Sequence, residues 1–357
     1  MNSNTDKLPW LKNLYPGYFA LTMGTGIIAI ALGMLEMPTL SEVFYAITLI
    51  SWCALTGLYA WRLMRFPKVV WADLMNPKTT FFFFSFVAAT DIAGMLFHLH
   101  GLHNLALACW ICAFLAWVSL LHCSFSVLTL SHASRNVNVV NGGWLMCIVG
   151  THSLVLLGVD VIHALGNYAT YMMVWIYMLW GIGLILYGIF VTLFCYRIFF
   201  LEMNEDDYSP LMWVVMGAAA IGANAGSALA LSDPIMPTLV AFHPIVEMVA
   251  LVSWAWATWW IPLLVVIGYW KHFVRHAPLR YRPTQWSIVF PLGMYTVTSF
   301  RLSLAAEFEP LHWISHVMLW ESLVVWCLVA IGMFNRMAQR QDAKNHNGEE
   351  RGREGQG

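Results

Sequence analysis

Charge is the scarcest commodity in this chain: Asp, Glu, Lys and Arg make up 10% of its 357 residues, against about 25% in an ordinary soluble domain. With 60% of the residues hydrophobic, a water-exposed fold is excluded, because it would leave large apolar patches in solvent. Cysteine is scarce too. All seven (53, 109, 112, 123, 147, 195, 327) fall in apolar stretches, so no disulfide framework is indicated. Cys109 and Cys112 carry the C-x-x-C spacing of a redox or metal pair, but within an apolar helix the plainer reading is packing. There is no H-E-x-x-H motif and no paired histidine in the core of an apolar run. His98, His100 and His103 cluster at the end of one stretch, and His272 and His276 lie in a basic loop. No metal, no cofactor and no enzymatic activity is expected; a membrane-embedded redox or metal enzyme is the weakest alternative. Nothing points to nucleic acid, since the basic loops are short and abut apolar runs. No segment is large enough for a separate soluble domain, and no cleavable leader is expected, because the first apolar run is itself long enough to span a bilayer.

What the chain has in abundance is hydrophobic length. Mean hydropathy is +0.66, and 19 Trp and 21 Phe supply bulk suited to lipid and to the headgroup zone. Crossing the ~30 Å hydrocarbon layer takes about 20 mostly apolar residues. Ten such stretches occur, at 17–35, 40–61, 79–98, 104–127, 142–162, 170–199, 210–230, 238–269, 285–304 and 311–334. With ten spans, 17 of the 18 basic residues fall on one side, and only Arg301, within the ninth stretch, is left over. The positive-inside rule then puts both termini in the cytoplasm, as in a multi-pass protein of the plasma (inner) membrane. The expected organisation is a cytoplasmic segment at 1–16, a transport domain in the bilayer at 17–334, and a disordered cytoplasmic tail at 335–357.

The odd-numbered stretches share a feature. Each carries an aromatic followed by a small pair: F-A-L-T-M-G-T-G, F-S-F-V-A-A-T-D, W-L-M-C-I-V-G-T-H, W-V-V-M-G-A-A-A and W-S-I-V-F-P-L-G-M-Y-T. The small positions Gly24, Ala89, Gly150, Gly217 and Gly293 recur every 61 to 76 residues, and the even stretches have no counterpart. A period of two helices argues for five hairpins in series. The fold class expected is an all-α membrane protein of ten transmembrane helices, arranged as five parallel-repeated hairpins. Its odd helices line a central pore and its even helices form an outer ring. Small side chains serve either a lumen or simple close packing of helices.

Several of these stretches resemble the tellurite-resistance/dicarboxylate transporter family, which includes fungal malate and sulfite permeases and plant slow anion channels. The matching segments are P-G-Y-F-A-L-T-M-G-T-G (16–26), W-V-V-M-G-A-A-A-I (213–221), W-A-W-A-T-W-W-I-P-L-L (254–264), W-S-I-V-F-P-L-G-M-Y-T (286–296) and, more loosely, F-F-S-F-V-A-A-T (83–90). The resemblance implies passage of a small anion, a homotrimer, and a phenylalanine of the ninth helix that occludes the pore. Phe290 matches that position.

The residue-level expectations follow. Pro291 and Gly293 follow the gate candidate Phe290 and belong to the same gate segment, and Pro291 should kink the helix; the alternative for Phe290 is a packed core aromatic. Candidate pore-lining or anion-binding positions are Gly24, Thr25, Gly26, Ala89, Thr90, Gly150, Thr151, Gly217 and Thr296. Neutral dipoles suit an anion that must be released, whereas a ring of lysines would trap it. Each threonine has an alternative, a bond to its own preceding turn. Asp91 reads as a proton site or as a satisfied structural carboxyl, and His152 as a group facing the pore. Arg301 reads as a cation near the outer mouth or as a partner of Glu307. A channel for small inorganic or carboxylate anions leads; a proton-coupled C4-dicarboxylate or sulfite carrier is the alternative.

Overall fold

The computed structural model describes residues 8–131, 137–205, 207–232 and 237–354. Lys7 and Arg135, counted above with one basic face, lie outside the described residues, as do residues 355–357 and the side chains beyond Gln339. Among the described residues every regular element is helical. Eight helical segments are long and apolar enough to cross a membrane. One of them, Gly142–Phe200, is 59 residues long and consists of two helices joined by the turn Ile162–Tyr168, where Gly166 takes φ 51°, a left-handed value open to glycine. A further apolar helix, Ala20–Met34, has 15 residues and is shorter than a full crossing needs.

The long helices are numbered in chain order: α1 Ala20–Met34, α2 Pro38–Arg65, α3 Phe84–Leu99, α4 His103–Leu130, α5 Met146–Val161, α6 Ala169–Phe200, α7 Val214–Leu231, α8 His243–Tyr269, α9 Trp286–Ala305 and α10 Pro310–Glu354. The last continues past the apolar run into the polar stretch that begins at 335. The odd helices pack in a closed circle, α1 on α3, α3 on α5, α5 on α7, α7 on α9 and α9 back on α1. Each even helix leans on the odd helix before it and on the next one round, and α10 reaches α1 to complete the circuit. Burial follows: 83%, 89% and 72% of the apolar windows around α3, α7 and α9 are buried, against 17–28% for α2, α4, α8 and α10.

Four of the odd helices start from a short 3-10 turn, at Thr80–Phe83, Gly142–Leu145, Pro210–Trp213 and Pro283–Gln285. The first three of these turns pack in sequence on the next, and Tyr15, just ahead of α1, lies against Phe82 with ring centroids 5.4 Å apart. The inner helices therefore begin on one face and run parallel. The same face carries the anchored arginines. Arg62, at the end of α2 and 2% exposed, pairs with Asp73 at 2.6 Å and donates to the Lys12 carbonyl. Arg197, at the end of α6, pairs with Asp207 at 2.7 Å and donates to the carbonyls of Asn138 and Val140.

The recurring small residues let the inner helices meet. A Cβ on Gly24 would stand 3.0 Å from Val289 Cγ1 and 3.3 Å from the Phe290 nitrogen. One on Gly217 would stand 2.8 Å from Pro291 Cγ, one on Gly293 2.7 Å from Ile27 Cγ2, and one on Gly150 3.3 Å from Phe84 Cδ1. Gly26 faces Ile92 of α3 and Thr48 of α2. Close approach, one of the two uses of small residues weighed from the sequence, is served at these glycines. The helix α9 runs unbroken through Pro291, whose ring fits against Gly217.

Candidate functional site

The ring interior is the natural place to look for a transport site, and its polar atoms are few. Their directions are informative. Trp52 Nε1 of α2 donates to Thr90 Oγ1 at 3.2 Å, and Trp117 of α4 to Thr151 Oγ1 at 2.8 Å. Trp180 of α6 donates to the Gly222 carbonyl at 3.0 Å, Trp254 of α8 to Ser299 Oγ at 2.9 Å, and Trp326 of α10 to Thr25 Oγ1 at 3.0 Å. In every hairpin an outer-helix indole reaches the next inner helix. Thr25 and Thr151 also donate to the carbonyls of Leu21 (2.8 Å) and Cys147 (2.7 Å) one turn earlier, and Thr296 donates to Leu292 at 3.0 Å.

Of the two alternatives held for the threonines, the bond to the preceding turn is the one present at Thr25, Thr151 and Thr296. Thr25, Thr90 and Thr151 are turned toward the outer helices, where the indoles would otherwise sit unpaired in an apolar setting. Sequence reading missed the tryptophans altogether. Their signal is present: positions 52, 117, 180, 254 and 326 are 65, 63, 74 and 72 residues apart, the same period as the small residues.

Other expected site residues divide in the same way. His152 is wholly buried, with Nε2 3.4 Å from the Trp180 carbonyl. It occupies space left by Gly183 of α6 and Gly222 of α7, so it wedges between helices rather than facing the ring axis. Asp91 of α3 accepts a 2.6 Å bond from Ser153 of α5, and its other carboxylate oxygen is buried with no hydrogen-bond partner among the described residues. Ala89 and Phe290 are fully buried. Arg301 does not pair with Glu307 among the described contacts; its Nη1 donates to Asn224 Oδ1 of α7 at 3.3 Å.

Two cavities lie toward opposite ends of the ring. The one at the face where the inner helices begin has a volume of about 440 Å³, and the start of each inner helix contributes to it: Tyr15, Phe82, Gly142, Leu211 and Pro283. Lys78, Arg197 and Arg282 line it as well. Five parallel helix N-termini carry partial positive charge and favour an anion there. The other cavity, about 470 Å³, is lined by His98, His103, Asp160 and His163 where α3 and α5 end.

The family model described as SLAC1, voltage-dependent anion channel, matches residues 13–334. An uncharacterized membrane protein of Mycobacterium tuberculosis is 38% identical over 143 residues, 40% of this chain and 72% of that one. Two uncharacterized transporters of Methanocaldococcus jannaschii are similar over nearly the whole length. One is 23% identical across 95% of this chain and 98% of its own, the other 24% identical across 92% and 96%.

Proposed function

Because the chain belongs to the SLAC1 voltage-dependent anion channel family, whose members are membrane transporters and channels, we propose that it passes a small anion along the axis of the five inner helices, with Phe290 closing the path. Ten bilayer crossings are supported by the division of the 59-residue segment at Gly166 and by the place of Ala20–Met34 in the ring. Both termini are then cytoplasmic, the basic face being the inner one, and the protein works as a homotrimer in the plasma membrane.

The observation that carries the reading is the closed circle of parallel inner helices with Phe290 wholly buried in it, its backbone set against Gly24. An anion enters from the basic face, drawn by helix ends and by Lys78, and meets no fixed cation in the ring centre that would hold it. The Phe290 ring then excludes water and ion alike until the helices around it part. Replacing Phe290 with Ala should raise chloride and nitrate flux severalfold in proteoliposomes; unchanged flux through a variant that elutes like the parent would remove the gate role.

Asp91 favours a second reading, proton-linked carriage of a C4-dicarboxylate or sulfite, since an isolated carboxyl in a bilayer is costly to keep charged. Malate and sulfite uptake with and without a pH gradient separates the two. Dependence on the gradient that is lost in Asp91→Asn supports the carrier.

A further inference from the structure

The sequence groups His98, His100 and His103 at one end of an apolar stretch, and the fold divides them two and one. The turn from α3 to α4 is held tightly. Gly101 takes φ 74°, a value open to glycine, and the amides of Gly101 and Leu102 return to the carbonyls of His98 and Phe97, both at 2.9 Å. This closes α3 in a Schellman-type cap and sets His98, in the last turn of α3, beside His103, the first residue of α4. Their Nδ1 atoms stand 3.2 Å apart. His100 is committed elsewhere. Its ring stacks on Tyr45 of α2 with centroids 3.8 Å apart, its Nδ1 meets the Leu96 carbonyl at 2.8 Å, and its Nε2 meets Glu42 at 3.0 Å.

Two imidazole nitrogens at that separation have a specific chemical use. A zinc ion holds imidazole nitrogen at about 2.0–2.1 Å in tetrahedral geometry, which sets two such ligands about 3.3 Å from each other. The His98 and His103 nitrogens are therefore spaced to share one metal ion with little movement of either ring. His103 is exposed and His98 half-buried, so an ion reaches both from water. The pair opens on the cavity of about 470 Å³, whose wall also includes Asp160 and His163, and this leaves room for the ion and for water on its remaining positions. Asp160 is the acid on that wall, and its charge favours a cation there. No group of three metal-ligating side chains is assembled among the described residues, so the pair makes a two-point chelate completed by water. Imidazole suits zinc, nickel and copper; magnesium and calcium take oxygen donors instead.

We propose that His98 and His103 form a binding site for a divalent transition-metal ion of the zinc class, at the face where the inner helices finish. The site is independent of the channel reading, and its test needs no transport. Zinc chloride is titrated by calorimetry into the full-length protein in detergent, prepared without a histidine tag, with magnesium chloride as the comparison. The parent should bind zinc saturably and magnesium not at all. His98→Gln and His103→Gln should each weaken zinc binding by about tenfold or more, the scale already reached when only an outer partner of a metal ligand is removed. His100→Gln should bind as the parent does, since that ring is engaged with Tyr45 and Glu42. Zinc should also raise the denaturation midpoint of the parent, because it binds the folded turn, and leave the midpoints of the His98 and His103 variants unmoved. A plain hydrogen bond between the two rings would give the parent no such response. The site is wrong if the parent binds no zinc, if magnesium binds equally well, or if His98→Gln and His103→Gln proteins that elute like the parent bind zinc undiminished.

Discussion

Inner and outer helices are alike in apolar content and unlike in what they do with their polar atoms. The inner helices carry the hydroxyls, the buried Asp91 and His152, and the glycines; the outer helices carry the indoles that reach inward and, at the ends of α2 and α6, the anchored arginines. In a bilayer no water is present to satisfy a misplaced polar group. Each ring therefore completes the other: outer donors meet inner acceptors, and outer side chains such as Ile50, Ile185 and Leu328 face away. The difference teaches that an apolar exterior here is one side of helices whose other side is chemically specific.

The comparison is broken most severely at its charged anchors. Asp73→Ala leaves Arg62, 2% exposed, without its carboxylate, and should lower stability by about 3 kcal/mol, read as a fall in the denaturation midpoint of the purified protein. Next comes the inner contact. Gly217→Leu drives a side chain into Pro291, where even a Cβ would be 2.8 Å away, at a cost of about 2 kcal/mol and with loss of folded yield. Gly217→Ala should cost less, in proportion to the smaller intrusion. The seam between the rings is gentler: Trp117→Phe removes the bond to Thr151 and should cost about 1 kcal/mol, with Trp117→Ala far worse because it also empties a buried site. Smallest is Ile185→Val on the outward face, 66% exposed, where a change within about 0.5 kcal/mol is expected. Were Ile185→Val to match Trp117→Phe, the distinction between the two sides of an outer helix would be lost.

Much of the architecture was legible before any coordinates. The apolar stretches located the long helices, and the recurrence from Gly24 to Gly293 marks the helices that pack on one another, because hydrophobic length and small-residue periods survive translation into structure directly. Helix rotation did not survive in the same way. A threonine after a small residue faces whichever way the neighbouring helices require, so the sequence left Thr25 and Thr151 open between the pore and the preceding turn, and the structure shows both bonded back to that turn. The reason lies in a partner some 30 to 300 residues away: Trp326 meets Thr25 across 301 positions, and with 19 tryptophans in the chain no single one stood out. His152 and Arg301 show the same limit, since Gly222, which helps house one, and the Asn224 amide, which meets the other, come from a neighbouring hairpin.

The bond from Trp326 to Thr25 also bears on how the molecule is made. A ribosome delivers the helices in order, and four of the five seams between hairpins join neighbours that emerge one after the other. The fifth cannot form until α9 and α10 arrive, so α1 waits through almost the whole of synthesis with one flank unpartnered. Closure of the circle is a late event made by the last hairpin, and a nascent chain cut short before α9 would remain an open arc, leaving that flank of α1 without the contact α9 makes in the finished fold.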